Sequence, residues 1–338
     1  MASQGNKSRV EISIDLAAPG RQTGDLRVKW SDNRQPVGYY PVPIICLANG
    51  DGPTVLLTGG VHGDEFEGPA ALMRLAHALE PRDLKGRVII IPALNAPALY
   101  ASSRISPLDQ MNLNRAFPGD ANGTATQMIA HFVESRLLPE CDAAIDLHAG
   151  GKAAIFAACV LAEVAGSTAL AAANLALAKA FAAPYLWVAS EKNDDRSLNA
   201  AARRQQLPMI AAELGGGGGC DPQMTRFTEA ALGRCLDHLG ITDSGQQGET
   251  GDMIALQVRN SFCAPAAGLL ERNFAIGDEV SSGQVAGWLH FIQEPERAPL
   301  ELVFPAEGII LAHGNRGLVE RGDLVAVIAG PAQIEGMS

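Results

Sequence analysis

Residues 54–79 read TVLLTGGVHGDEFEGPAALMRLAHAL. Thr54 to Thr58 form a largely apolar run bounded by Pro53 and Gly59, which fits a strand buried on both faces. Residues 67–79 follow with helical spacing, and Pro69 falls in the first turn, where a missing N–H is tolerated. Between them, residues 59–68 present a His, an Asp and two Glu among glycines. Such a segment is either a polar loop or a metal site.

The same alternation continues along the chain. Arg87 to Pro92, Ala143 to Leu147 and Pro208 to Ala212 read as further buried strands. Helical spacing marks about 126–138, 166–182 and 225–239. Alternating strands and helices imply an α/β fold, a mixed but largely parallel sheet with helices on both faces. This domain is expected over 1–240, with N-terminal strands over about 8–50.

Composition narrows the class. The chain has 338 residues, is 47% hydrophobic and carries a net charge of −11, with no basic stripe. Nucleic acid and anionic membrane surfaces are therefore not expected partners. The polar start, MASQGNKSRV, lacks the apolar run of a signal peptide. In the most apolar stretch, Ala153 to Leu186, the longest uncharged run, Val164 to Ala178, is too short and too polar to span a bilayer. A soluble cytoplasmic protein is expected, and self-association is compatible with the sequence. Six Cys are scattered without a CxxC pair, which favours free thiols over disulfides or thiolate metal ligands.

Residues 241–251 read as a polar, Gly-rich linker. Beyond them, over 252–338, short β-type runs replace helices. Pro265-Ala266-Ala267-Gly268 recurs as Pro305-Ala306-Glu307-Gly308, and Val280-Ser281-Ser282-Gly283 recurs as Val319-Glu320-Arg321-Gly322. Two such halves resemble a biotinyl/lipoyl-type β-domain. The connection between them, residues 288–304, holds no lysine, so a swinging-arm carrier is excluded on chemical grounds.

Three strand ends carry the polar punctuation. His62 and Glu65 follow the first strand, His148 ends another within DLHAGG, and Glu213 precedes five glycines. Loops at the carboxyl ends of parallel strands form the usual ligand crevice. His, Glu and His with an open fourth position make a catalytic zinc set, and two imidazoles favour zinc over magnesium or calcium. Taken singly, each residue also has an ordinary structural explanation: a loop charge, a hydrogen-bonded His, a turn residue. Asp64 and Glu67 read as a loop charge and a helix-start charge. In RISPLDQMNLNRAFPG, residues 104–119, Arg104 and the pair Asn114-Arg115 could anchor a substrate carboxylate or simply lie on a surface loop.

GGVHGDEFEG, NAPAL, NLNRAFPG, DLHAGG and AAELGGG, in this order, resemble the succinylglutamate desuccinylase/aspartoacylase family of the zinc carboxypeptidase clan. The resemblance covers about 45–240. Within the family, the long form with a lysine-free tail looks most similar to the N-acetyl-diaminobutyrate deacetylases of ectoine degradation. It implies a zinc-carboxypeptidase-like fold and one Zn2+ per chain held by His62, Glu65 and His148. It implies Glu213 as the catalytic carboxylate, Arg104 as the carbonyl-polarising arginine, and Asn114 and Arg115 as binders of the substrate carboxylate. The tyrosine often supplied by the tail of aspartoacylases has no counterpart, since the tail contains none.

The activity so implied is removal of an acetyl or similar group from a small N-acyl amino acid, with N-acetyl-diaminobutyrate as one candidate. A metallocarboxypeptidase-like peptidase could use the same chemistry. A non-catalytic binding homologue is the alternative of another class; retention of all three ligand candidates and Glu213 argues against it.

Overall fold

The computed structural model describes residues 8–33, 35–164, 168–189, 194–245 and 253–334. Three antiparallel N-terminal strands come first: β1 (Val10–Ile12), β2 (Gly20–Asp32) and β3 (Gln35–Asn49). The α/β part follows: β4 (Thr54–Gly59), α1 (Glu67–Ala78), β5 (Gly86–Ile91), α2 (Ala96–Tyr100), α3 (Ala125–Phe132), β6 (Ala143–His148), β7 (Ala154–Phe156), β8 (Cys159–Ala162), α4 (Ala169–Phe181), β9 (Tyr185–Val188), α5 (Leu198–Arg204), β10 (Met209–Glu213) and α6 (Pro222–His238). The tail adds β11 (Ile254–Cys263), β12 (Gly268–Arg272), β13 (Glu279–Val280), β14 (Val285–His290), β15 (Leu300–Val303), β16 (Gly308–Gly314), β17 (Leu318–Val319) and β18 (Leu324–Pro331).

One mixed sheet of 14 strands runs β1-β2-β3-β5-β4-β6-β10-β8-β9-β11-β18-β16-β13, with β7 paired to β16. Its centre, β5-β4-β6-β10, is parallel. Every residue of β4 and of β6 is buried, as expected for strands covered on both faces. Side chains alternate between two cores. Leu56 packs with residues of α3 and α5, whereas Val55 and Leu57 pack with residues of α1, α4 and α6. Fully burying each such side chain contributes roughly 1.5–3 kcal/mol.

The helix expected over 126–138 is shorter as an α-helix. It passes into a π-turn at Val133–Leu137 and a 3-10 turn at Leu138–Glu140. Pro139 explains the end, because it cannot continue the ladder. The elements α2, α5, β7, β8 and β9 fall outside the pattern read from sequence, and each is only three to seven residues long.

Most of the expected linker lies outside the described residues. Beyond it, β11 pairs in parallel with β9, so tail strands extend the main sheet. The tail's half-repeats interlock. β12 pairs with β17 and β13 with β16, each strand bonding to one from the other half. β12, β14, β15 and β17 form a separate four-stranded sheet over the core of Leu270, Leu289, Leu302 and Phe304. No helix among the described residues is long and apolar enough to cross a membrane.

Candidate active site

β4, β6 and β10 run parallel, so their carboxyl ends deliver His62, His148 and Glu213 to one edge of the sheet. The loop after β4 is tightly held. Leu94 and Asn95 donate their backbone N–H groups to the carbonyls of Gly59 and Gly60, and Gly63 donates to Ser103. Gly63 must lack a side chain, because a Cβ there would lie 1.9 Å from the Ala98 carbonyl carbon.

His62, Glu65 and His148 are all buried, and one ligand atom from each lies within 4.8 Å of the others. Glu65 Oε1 is 2.7 Å from His62 Nδ1, and Oε2 is 3.0 Å from His148 Nδ1. Ala149 N–H also donates to Oε2 at 3.2 Å. Arg104, half exposed, places Nη1 3.4 Å from Glu65 Oε1. The structure thus brings Arg104 to the His–Glu–His cluster.

Asp146 backs the cluster from beneath. Its Oδ1 accepts the Thr58 hydroxyl at 2.7 Å, and its Oδ2 lies 2.9 Å from His148 Nε2. The second approach is close but poorly aligned for a hydrogen bond, so it is best described as a charge contact. Asp146 and His148 are two apart on a strand and therefore share a face. That spacing was visible in the sequence, but its use was not.

Electrostatics follow from burial. Desolvation alone would raise Glu65, but the charge and hydrogen bond of His148, then those of His62, hold it down at about 2. Burial opposes charge on His148, yet Asp146 and Glu65 carry its pKa well above the ordinary value. Burial pulls His62 below its ordinary value. Burial also pushes Glu213 up to about 8, against the pull of His148. Glu213 Oε2 is enclosed and has no hydrogen-bond partner among the described residues.

Four glycines after Glu213, residues 215–218, have positive φ. They are pinned rather than loose. Gly215 O accepts from Gly150 N at 3.0 Å and Phe156 N at 2.9 Å, and Gly217 N donates to Ala154 O at 3.0 Å. A Cβ on Gly216 would lie 2.4 Å from Ala154 O, so close backbone approach, not mobility, explains this glycine. The same segment meets the tail: β7 pairs with β16, and Asn315 N donates to Ala153 O at 2.8 Å.

Asn114 and Arg115 lie in a 3-10 turn, Leu113–Arg115, capped by the Asn112 side chain. Asn114 Oδ1 accepts the Leu198 N–H at 3.0 Å, docking the turn on the start of α5. Arg115 sets its Nε 3.0 Å from Asp194 Oδ2 and donates from Nη1 to the Asn114 carbonyl at 2.7 Å. The turn reaches the cluster through Asn112, whose Oδ1 is 3.1 Å from His62 Nε2. Asn112 and Asp194 were not singled out from sequence, because only folding brings them to His62 and Arg115.

Asp64 lies in the loop after β4 and Glu67 opens α1, as their positions in the sequence suggest. Both are buried. Asp64 Oδ2 accepts the Lys152 N–H at 2.9 Å, tying the two site loops together.

Residues 51–239 match the family profile described as the succinylglutamate desuccinylase/aspartoacylase catalytic domain. The chain is 36% identical, over 329 residues and 96% of each chain, to N-alpha-acetyl-L-2,4-diaminobutyric acid deacetylase of Halomonas elongata. A crystal structure of a succinylglutamate desuccinylase/aspartoacylase from Rhodobacter sphaeroides is similar at 37% identity and a TM-score of 0.90, covering 96% of this chain and 100% of that one. The product-bound structure of the ectoine utilization protein EutE from Ruegeria pomeroyi is similar at 34% identity and a TM-score of 0.91, covering 96% of this chain and 99% of that one.

Proposed function

Because the chain belongs to the succinylglutamate desuccinylase/aspartoacylase family, we propose that it is a zinc-dependent amidohydrolase that removes the acetyl group from N-alpha-acetyl-L-2,4-diaminobutyrate or a close analogue. The observation that carries this reading is the buried cluster of His62, Glu65 and His148, beside a Glu213 whose Oε2 has no hydrogen-bond partner among the described residues. Two imidazole nitrogens and one carboxylate fit a single zinc ion with an open position. When bound, the ion supplies a Lewis acid that acidifies water and polarises the acyl carbonyl.

The chain's own residues do the rest. Glu213 takes the proton from the attacking water and hands it to the departing amine. Desolvation, which raises its carboxyl to about 8 in the metal-free site, makes it a stronger proton acceptor, and the positive charge of a bound ion would lower that value. Arg104 donates to the carbonyl oxygen as negative charge develops there. Arg115 and Asn114 fix the α-carboxylate, and with it the register of the amide over Glu213. Asp194 holds Arg115 by Nε and the Asn114 carbonyl accepts from Nη1, which leaves Nη2 to meet the ligand.

Amine release from a panel of N-acyl amino acids, in zinc-loaded and chelated protein, tests the reading. The panel contains N-acetyl-diaminobutyrate, N-acetyl-ornithine, N-acetyl-aspartate, N-succinyl-glutamate and a dipeptide. Zinc-dependent release from N-acetyl-diaminobutyrate is the expected result. Cleavage of the dipeptide alone would make the protein a peptidase. Silence across the panel with zinc bound would favour a binding protein.

A further inference from the structure

Lys152 joins four segments around the site. It stands in the loop between β6 and β7, four residues after His148. Its backbone N–H donates to Asp64 Oδ2 at 2.9 Å, in the loop after β4. Its carbonyl accepts from Asn315 Nδ2 at 3.3 Å, in the tail. Its stem packs on the glycine segment, since a Cβ on Gly218 would lie 2.6 Å from Lys152 Cγ. Its ammonium donates to the Ser102 carbonyl at 2.6 Å. Gly151 permits the bond to Asp64: with φ +56 and no side chain it leaves room for Oδ2, which a Cβ there would approach to 2.5 Å.

The ammonium meets the chain at an unusual residue. Ser102 has φ +48, a left-handed conformation that is unfavourable for a residue with a side chain. Such a residue keeps its conformation only where its surroundings hold it. The chain then leads straight to Arg104. Ser103 donates its N–H to Ala98 O at 3.0 Å and accepts from Gly63 N at 3.0 Å. Arg104 itself is half exposed, and its contact with Glu65 Oε1 is long, at 3.4 Å. The guanidinium is therefore aimed by its backbone more than by side-chain partners. A charged donor makes a stronger hydrogen bond to a carbonyl than a neutral one. Lys152 supplies such a bond two residues before Arg104, from a loop anchored to Asp64 and to the tail.

We propose that Lys152 is a positioning residue: its ammonium, on the Ser102 carbonyl, fixes the segment that aims Arg104 at the acyl carbonyl. The role of Arg104 at that carbonyl rests on the proposed function; the hold on residues 102–104 does not.

Lys152→Met keeps an apolar stem beside Gly218 and removes the ammonium. With zinc-loaded protein and N-acetyl-diaminobutyrate, kcat should fall about tenfold while KM stays within about twofold, because a misaimed donor is felt mainly in the transition state. Lys152→Arg keeps a charged donor on a long stem and should recover kcat to within about threefold. Arg104→Ala should itself cost about 10²–10³-fold. In that background Lys152→Met should change kcat by less than about twofold, since the group it positions is gone. Amide hydrogen exchange at Gly63 and Ser103, followed by NMR, should quicken about fivefold or more in Lys152→Met, with or without zinc. If Lys152→Met does not fold, Lys152→Gln serves instead, because its amide is neutral and one bond short of the Ser102 carbonyl. A Lys152→Met protein with wild-type kcat or wild-type exchange would overturn the proposal. So would a rise in KM alone, which would make Lys152 a substrate contact, or an equal loss of kcat with and without Arg104. Wild-type protein that releases no amine from any N-acyl amino acid would instead count against the proposed function, and exchange at Gly63 and Ser103 would still decide whether Lys152 holds the segment.

Discussion

Glu213 stands opposite His148 in the parallel register of β10 and β6. The proposed proton acceptor thus sits one strand away from a metal-ligand candidate, fixed by backbone hydrogen bonds rather than by a loop. Glu213→Gln keeps the shape and removes the base. Turnover is expected to fall about 10²–10⁴-fold, while zinc content measured by elemental analysis stays at the wild-type level. A variant that kept most of its activity would place the base elsewhere.

The same residue predicts a pH effect on stability in chelated protein. Burial raises Glu213 from an ordinary value of 4.5 to about 8. Its folded pKa exceeds its unfolded one, so the stability it allows is complete below the unfolded value and is lost as pH rises through about 8. Glu213→Gln has no such loss. Its stability relative to wild type should therefore increase between about pH 5 and about pH 9. Urea midpoints at both pH values check this, and a difference that does not change with pH would contradict it.

Arg204 holds Glu134 with two hydrogen bonds, Nε to Oε1 at 2.8 Å and Nη2 to Oε2 at 2.7 Å. Glu134 is almost enclosed, with 10% of its side chain exposed against 34% for Arg204. Removing the carboxylate strands a partly buried guanidinium, so Glu134→Ala is expected to cost about 2–3 kcal/mol, less than a fully buried pair because Arg204 reaches solvent. The double variant with Arg204→Ala should cost less than the sum of the two. Chemical denaturation of the four proteins measures this. An additive result would show that the pair contributes nothing of its own.

The thiols are unequal. Cys220 and Cys263 are exposed, and Cys46, Cys159 and Cys235 are buried. Burial pushes Cys46 up to about 11 and Cys141 up to about 12, and raises Cys159 and Cys235 strongly. A thiol reagent at about pH 8 should label two groups quickly in the native protein and six after unfolding. Rapid labelling of a third site would mean that the core opens more readily than its packing suggests.

Much of the α/β part was legible because burial on both faces leaves a plain mark. Val55-Leu56-Leu57 and Val88 to Ile91 are unbroken apolar runs, and each ends in Gly, Pro or a charged loop. Short elements such as β7 and α5 hold three and seven residues, too few for a repeat to stand out from its surroundings. The tail's repeat was legible, but not which half pairs with which. Hydrogen-bonding partners across a sheet are chosen by chain path, and local sequence does not record it.

The sequence alone determined which residue types stand at three strand ends, because strand, polar loop and helix each follow from local patterning. Only the tertiary structure decided that Asn112 meets His62, that Asp194 meets Arg115, and that Glu134 meets Arg204, at separations of 50, 79 and 70 residues along the chain. Asp64 and Glu67 make the same point: they read as a loop charge and a helix-start charge, and local sequence does not record that both are buried. Such contacts depend on how the parallel strands stack and where their loops close, which is a property of the packed sheet and not of any one segment.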